Sequence, residues 1–520
     1  MREGQRTRSW LVVAGAALVL ALSAAVAQAV FGSLAFVEQE KDGVGGVDGL
    51  AATDALAVSP DGANVYVAGQ NDSAVAAFSR EPATGGLTFI EFEQDGQNGV
   101  DGIAVSAGVT VSPDGLSVYV SGANDNAVAT FSREANGALD FVEFKKDGVG
   151  GVDGLASPRD VAVSPDGAHV YVASLSDAAV SSFARDPGNG TLTFIDIDKD
   201  GVGGVDGLAG ASGLSISPDG ANVYVTGANE NAVAAFSRNP GTGMLTFVEV
   251  EKDGVGGVDG LAVPQDVAVS PDGANVYVTG TSDDAVATFS RDPTTGALTF
   301  VEQDTDGVGG VDGLNGAMGV AVSTDGRHAY VTGTSDNAVA TFSRDPTTGA
   351  LTFVEQDTDG VGGVDGLAGA RFVTTSPDGA HVYVTGRSDN AVVAFAREGP
   401  PPVDPVDTEL EGSASAKGKQ KQEGSKIFVK VKVKAKEDLT AAASGKVRVG
   451  KRSYKLKPQT KTVSSGSPKT LKLKPKKSKD AKKIVKAMKK GKKAKGKLIV
   501  KLTDEAGNKK TEKLSVRLKR

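Results

Sequence analysis

No cysteine occurs among the 520 residues, which excludes disulfides, thiolate nucleophiles and cysteine-linked lipid. Histidine is nearly as scarce, with three residues, and the single tryptophan is Trp10. Long apolar runs are missing as well, apart from one. It extends from Leu11 to Val26, follows the basic Arg2, Arg6 and Arg8, and precedes the small-x-small triplet Ala27-Gln28-Ala29. That is the order of a secretory signal peptide over residues 1–29, with cleavage expected after Ala29. An uncleaved anchor is the alternative, although the run is short for a spanning helix. An export signal on a chain without disulfides implies a bacterial protein, secreted or at the cell surface, that its core alone must stabilise.

Acidic residues are rare in the part of the chain where basic ones concentrate. Residues 413–520 hold 37 Lys or Arg against 7 Asp or Glu, leaving 19 and 57 for residues 1–412. A formal net charge of −8 therefore conceals −38 followed by +30. Two bodies of opposite charge share one chain, and loose, salt-sensitive docking between them is expected.

Repetition fills the acidic part. A Ser-Pro-Asp-Gly turn, or a near variant, begins at Ser59, Ser112, Ser164, Ser217, Ser270, Ser323 and Ser376, an interval of 52 or 53 residues. In the fifth copy, strands are predicted over Asp266 to Ser270, Asn275 to Thr279, Ala285 to Ser290 and Leu298 to Glu302. Turns rich in Asp, Pro and Gly separate them. A period near 50 residues with four strands per copy marks a β-propeller, one blade per repeat. A fourth-strand copy, Leu34 to Glu38, precedes the first inner strand, while the last copy stops at its third strand, Ala391 to Ala396. The N-terminal segment is thus expected to complete the last blade, closing a seven-bladed ring over residues 33–399 without exposed edges, as a monomer.

The run Ser-Pro-Asp-Gly-x-x-Val-Tyr-Val-Thr-Gly, followed by Asn-Ala-Val-Ala-Thr-Phe-Ser-Arg-Asp-Pro-Thr-Thr-Gly-Ala-Leu-Thr-Phe over Asn337 to Phe353, resembles the YVTN-type and lactonase-like seven-bladed propellers. That group includes 6-phosphogluconolactonase and carboxymuconate cyclase relatives. The resemblance implies a lactonase using His, Arg and Glu in the central channel. The residues themselves point elsewhere, because catalysis needs one asymmetric constellation and the blades are nearly identical. His169, His328 and His381 share one repeat position with Asn64, Ser117, Asn222 and Asn275, which reads as a solvent-facing strand start. Arg80, Arg133, Arg185, Arg238, Arg291, Arg344 and Arg397 recur with the turn and read as structural. Arg159, Arg371 and Arg387 occur in single blades and read as surface variation. The leading expectation is a non-catalytic binding or scaffold module; the alternative is an extracellular lactone hydrolase.

Acidic loops join the blades. Asp196, Asp198, Asp200 and Asp206 lie in one; Asp304, Asp306 and Asp312 in another; Asp357, Asp359 and Asp365 in a third. Alternating carboxylates followed by glycine suit calcium, which takes six to eight oxygens, although the spacing departs from an EF-hand and plain Asp-Gly turns would give the same pattern. These loops share a face with Asp72, Asp125, Asp177, Glu230, Asp283, Asp336 and Asp389, a negative ring that could draw a cation or a basic partner.

Beyond a Pro-rich and polar linker at 400–424, residues 425–520 alternate apolar and basic positions, as in Lys426 to Lys434, and predict a small, Lys-rich, Ig-like β-sandwich. One amphipathic helix is expected from Lys479 to Lys490, with Ile484, Val485 and Met488 on its apolar side. The turn Asp504 to Asn508 is similar to one in C-terminal domains of bacterial secreted proteins. With Phe428 and Tyr454 as its aromatics, the domain lacks a base-stacking platform. Nucleic acid is disfavoured as a partner, and anionic cell-envelope polymers or headgroups are preferred.

Overall fold

The computed structural model describes residues 31–398, 412–422, 424, 426–435, 439–463, 468–504 and 509–520. The leader at 1–29, linker residues 400–411 and residues 505–508 of the Asp504 to Asn508 turn lie outside the described residues. Two compact units divide the chain, 1–401 and 402–520. Among the described residues, no helix is long and apolar enough to cross a membrane.

The first unit is a ring of seven four-stranded antiparallel sheets. Blade 5 is typical, with strands Pro264–Val269, Asn275–Gly280, Ala285–Arg291 and Leu298–Thr305 running from the axis outward. Its Asn-Val-Tyr-Val-Thr-Gly strand is buried at every position, because both of its faces meet neighbouring blades. That explains why the repeat reads as a continuous apolar run rather than an alternating one. Small alanines on the third strand let adjacent sheets approach, while Phe289 and Phe300 meet edge to face at 5.7 Å. The last blade takes its outer strand from the N-terminus: Leu34–Lys41 pairs antiparallel with Ala391–Arg397, from Leu34 opposite Arg397 to Lys41 opposite Ala391.

The recurring Ser, Asp, Tyr and Arg form a latch between successive blades. Within the turn of blade 5, the Ser270 hydroxyl and the Ala274 N–H both donate to Asp272 Oδ1, at 2.6 and 3.0 Å. The aimed carboxylate then receives Arg344 of blade 6 at 2.9 Å. Arg344 Nε donates to the Tyr277 hydroxyl at 2.7 Å, and that hydroxyl donates to the Gly349 carbonyl at 2.8 Å. Gly349 has φ +84°, and a Cβ there would collide with Asn275. Only glycine lets this turn close over the neighbouring blade.

Burial raises the carboxyl pKa of Asp272, but hydrogen bonds from Ser270 and Ala274 and the Arg344 guanidinium outweigh it and hold the group below its ordinary value. The corresponding Asp166 and Asp378 are held down to about 2. A depressed carboxylate stabilises the fold above its unfolded value of about 3.9, and that contribution fades as pH falls toward about 2. Arg344→Met strands the polar end of a buried network, so we expect a loss of about 3 kcal/mol, read as a lower melting temperature at neutral pH. The wild-type advantage should shrink below about pH 3 as the Asp partners protonate.

The histidines are a correction. His169, His328 and His381 are 6%, 2% and 3% exposed, so none is a solvent-facing strand start. Each Nδ1 accepts from the latch arginine of the next blade: Arg238 at 2.8 Å, Arg397 at 2.7 Å and Arg80 at 2.6 Å. Asn222 and Asn275 accept the equivalent bond at 2.6 Å, and Ser117 accepts at 3.2 Å. The position interchanges because all three residue types offer an acceptor to one buried guanidinium. Burial, reinforced by the Arg397 charge, pushes His328 down to about 4, so it stays neutral at physiological pH.

The second unit is a two-sheet β structure. A three-stranded sheet of Gly412–Ser415, Val429–Ala435 and Lys469–Leu473 shares its core with a larger sheet built on Leu439–Val449, Ala494–Asp504 and Lys509–Lys519. Val431, Val433 and Leu471 of the first pack with Ala441, Val500 and Val516 of the second, while lysines alternate outward. The helix, Ser478–Lys489, buries Ile484 and Val485. Part of the expected linker is strand instead: Gly412–Ser415 and Lys419–Lys421 both pair with this domain. These short polar edges carry no apolar alternation to announce them, and Gln420 secures one through side-chain bonds to the Lys430 backbone.

Candidate functional site

The seven inner strands converge on the propeller axis, where their second and third residues face one another. Around the ring the third position runs Ala55, Gly108, Asp160, Gly213, Asp266, Gly319 and Phe372. Glycine therefore occupies alternate blades. A Cβ on Gly213 would lie 2.5 Å from the Gln265 carbonyl oxygen and 2.7 Å from the Asp266 Cα, so the even blades make room for the odd ones. The cavity enclosed here has a volume of about 60 Å³, and its wall includes Asp54, Arg159, Asp160, Asp266, Arg371 and Phe372. It has room for a few water molecules, so a ring-sized ligand would sit at its open side.

Charge breaks the sevenfold pattern. Arg371 pairs with Asp54, which is 6% exposed and also lies 3.8 Å from Arg387. Arg387 in turn donates to the Gln70 amide oxygen, and Gln70 Nε2 donates to Asp54 at 3.3 Å. Arg159 lines the same cavity, and its Nε has no hydrogen-bond partner among the described residues. Burial, then the nearby Arg387 charge, lowers the pKa of both Arg159 and Arg371. Arg371 and Arg387 thus share the Asp54 carboxylate, while Arg159 has no ion-pair partner among the described residues, and an anion would relieve that imbalance.

Two further carboxylates lie across the cavity. Asp160 accepts the Val161 and Leu214 N–H groups, both at 2.8 Å, and burial nevertheless pushes its pKa up to about 6. Asp266 accepts Val267 and Val320 N–H at 2.8 and 2.9 Å. Burial, with a smaller contribution from the Asp160 charge, pushes it up to about 7. A carboxylate poised near neutrality can take and return a proton at physiological pH.

This is the asymmetric constellation that near-identical blades were expected to lack. Arg159, Arg371 and Arg387 are not surface variation; all three converge here. Sequence reasoning misses Asp54, Asp160 and Asp266 as site residues and names only Asp266, as the start of a predicted strand. Their signal was available, because Pro158-Arg-Asp-Val161 and Pro264-Gln-Asp-Val267 both depart from the repeat.

The acidic loops form a separate set of sites. Asp200 and Asp206 join Glu230, with oxygens all within 4.8 Å of one another, and Asp42, Asp48 and Asp72 do the same; there are seven such groups among the described residues. Blades 6 and 7 repeat the arrangement, with Asp306 accepting Leu314 N–H and Asp359 accepting Leu367 N–H. Asp312 and Asp365 receive the side-chain amides of Gln356 and Gln39. The remaining candidates sit apart from these groups. Asp196, Asp198, Asp304 and Asp357 belong to outer strands, where alternation turns them away from the loop. Burial pushes Asp198, Asp304 and Asp357 up to about 6, 6 and 7, aided by Asp196, Glu302 and Glu355.

Lysine distinguishes the groups. Lys41, Lys146, Lys199 and Lys252 reach the acids of four blades, at 3.2, 3.8, 3.2 and 2.9 Å. At the equivalent strand position the other three blades carry Gln94, Thr305 and Thr358. In those three, Asp72, Asp283 and Asp336 are raised, first by burial and then by neighbouring carboxylates.

The family described as "Lactonase, 7-bladed beta-propeller" matches residues 56–205, 197–312 and 316–401, well over half of the sequence. The chain belongs to that family. Among solved structures, the chain is similar to the periplasmic gluconolactonase of Pseudomonas aeruginosa, with 22% identity over 58% of this chain and 84% of the other, TM-score 0.49. It is also similar to hydrazine synthase of Kuenenia stuttgartiensis, with 18% identity over 69% and 99% of the two chains, TM-score 0.50. At 18% identity the likeness to hydrazine synthase speaks for the fold of the propeller alone. No curated protein matches it.

Proposed function

We propose that the propeller hydrolyses a lactone at the open side of its central cavity. The observation that carries this reading is the cavity itself: in a lactonase-family ring, one place joins a carboxylate poised near neutrality with arginines short of counter-charge. Asp266 takes a proton from water as its oxygen attacks the lactone carbonyl carbon. An arginine facing the cavity, with Arg159 the freest, stabilises the charge that develops on the carbonyl oxygen. The ring C–O bond then breaks, and the departing oxygen takes the proton back from Asp266, leaving a hydroxy acid. A panel of neutral and anionic five- and six-membered lactones, followed by proton release, tests the reading. Turnover that prefers anionic lactones supports it, whereas no turnover across the panel returns the propeller to the role of a binding scaffold.

The three lysine-free acidic groups favour a second, compatible reading, in which they hold calcium. Oxygen ligands without a competing ammonium are what a hard divalent cation requires. Millimolar calcium is expected to raise the melting temperature by several degrees, and by more than magnesium does. Combining Asp72→Asn, Asp283→Asn and Asp336→Asn should abolish the difference. Equal shifts from the two ions, or none, would leave these loops as ordinary Asp-Gly turns.

A further inference from the structure

The basic domain contains a feature that its Lys-rich composition alone does not explain. Lysines alternating along Val429–Ala435 or Ala494–Asp504 point outward from a sheet and need only solvent. Between the helix Ser478–Lys489 and the hairpin that joins Leu439–Val449 to Arg452–Lys455, however, basic residues from distant segments converge on a groove of about 1010 Å³. Lys483, Lys486 and Lys490 lie three, four and seven residues apart, on one face of the helix and its C-cap. Lys451 and Arg452 face them from the hairpin, and Lys493 from the loop that follows.

Among the described residues, no carboxylate lines this groove and none of these six cations forms an ion pair. The helix dipole accounts for basic residues near Lys489 and Lys490, but not for Lys451 and Arg452 on a different element. Such a concentration of like charge costs energy when the groove is empty and is relieved by an anion. A second basic cavity, of about 600 Å³, lies beside the first half of the same helix, with Lys457, Lys474, Lys476 and Lys482 in its wall. Positive charge therefore continues along the helix, further than one small anion could span.

We propose that this helix-side groove binds, along its length, a linear, phosphate-bearing polyanion that carries no nucleobases. Lysine ammonium groups are point charges on flexible stems, suited to following a repeating phosphate chain without reading its chemistry. A concave track accepts a strand and disfavours a flat bilayer. Among the described residues, half-buried Tyr454 is the sole aromatic in the groove wall, so successive bases would have no run of aromatic rings to stack on. This proposal is independent of the lactonase reading and concerns the second unit alone.

The test uses the full chain with long-chain inorganic polyphosphate as the probe, by fluorescence anisotropy at about 150 mM salt. Lys451→Gln, Lys483→Gln, Lys486→Gln and Lys490→Gln are combined in one variant. A control variant of identical net charge combines Lys430→Gln, Lys432→Gln, Lys495→Gln and Lys497→Gln, all on exposed sheet positions. Glutamine keeps helix propensity close to that of lysine, so both variants should retain the wild-type circular dichroism. We expect the groove variant to lose about tenfold or more in affinity with a shallower salt dependence, and the control to lose less than about threefold. Equal losses in the two variants would overturn the proposal, because diffuse charge would then suffice. So would absence of binding, or tighter binding to single-stranded DNA or to phosphatidylglycerol vesicles at matched charge.

Discussion

Asp266→Asn is expected to abolish lactone hydrolysis and, at the same time, to make the propeller more stable above neutral pH. Loss of a general base costs about 10²- to 10⁴-fold in rate, and the neighbouring Asp160 accepts backbone bonds toward a different blade. The stability change follows from linkage. Burial raises Asp266 to about 7 in the folded chain, against about 3.9 when unfolded. Between those values the native state keeps a proton that the unfolded chain has already released, so stability falls as pH rises across the window. Asp160 adds a smaller fall of the same sign, ending near 6. Asparagine cannot ionise, so the variant escapes the first of these losses, although its NH2 replaces one of the two oxygens that accept backbone N–H groups, at a cost of about 1 kcal/mol. Its melting temperature should lie slightly below wild type near pH 4 and exceed it near pH 8, while wild-type activity should rise with pH through about 7 and then level off. Arg159→Met complements the test, because its Nε has no hydrogen-bond partner among the described residues and its removal should reduce turnover with little effect on melting. Full activity in Asp266→Asn would refute the assignment of the base, and an unchanged melting temperature at pH 8 would show that the carboxyl is not held neutral by its surroundings.

Deleting residues 31–41 is expected to be the most damaging change to the fold. The lost segment includes the outer strand of the last blade, whose removal bares the edge of Ala391–Arg397. Leu34 is 8% exposed, Phe36 meets Phe395 at 6.1 Å, and Lys41 reaches Asp389 at 3.2 Å. The segment also holds blade 6: Leu34 N–H donates to Glu355 at 2.9 Å, and the Tyr330 hydroxyl donates to the Gly32 carbonyl at 3.3 Å. Burying two large apolar side chains contributes about 4 kcal/mol, and the ladder of seven residue pairs adds to it, against a total stability of only about 5 to 15 kcal/mol. The melting temperature should drop by 10 °C or more on the scale of about 2 to 4 °C per kcal/mol for large domains. A bared edge also invites pairing with other chains, so size-exclusion chromatography should show oligomers. Added peptide corresponding to residues 31–41 should restore the monomer by strand addition. A monomeric deletion variant with wild-type melting would mean that the ring closes without this strand.

The ring was legible in the sequence because its information is local and repeated. Seven Ser-Pro-Asp-Gly turns, four strands per copy and a displaced outer strand at Leu34 specify blades, their number and their closure, since a blade has no other way to bury a Val-Tyr-Val strand on both faces. What repetition cannot convey is convergence at the axis. Asp54, Arg159, Asp266 and Arg371 come from four different blades, separated by up to 317 residues of sequence, and each is one deviation in a strand otherwise built for packing. Their carboxyl and guanidinium groups acquire meaning only when the inner strands meet around a cavity too small to hydrate them fully, which is what shifts Asp266 toward neutrality. The histidines err in the other direction. Interchange of His, Asn and Ser looked like solvent exposure, yet it reflects one acceptor requirement imposed by a buried arginine that arrives from the next blade, about seventy residues further along. In the basic domain, alternation was enough to predict strands and a helix near Lys479 to Lys490, while the groove beside that helix exists only because Lys451 and Lys483 are brought together by packing around Ile484 and Val485.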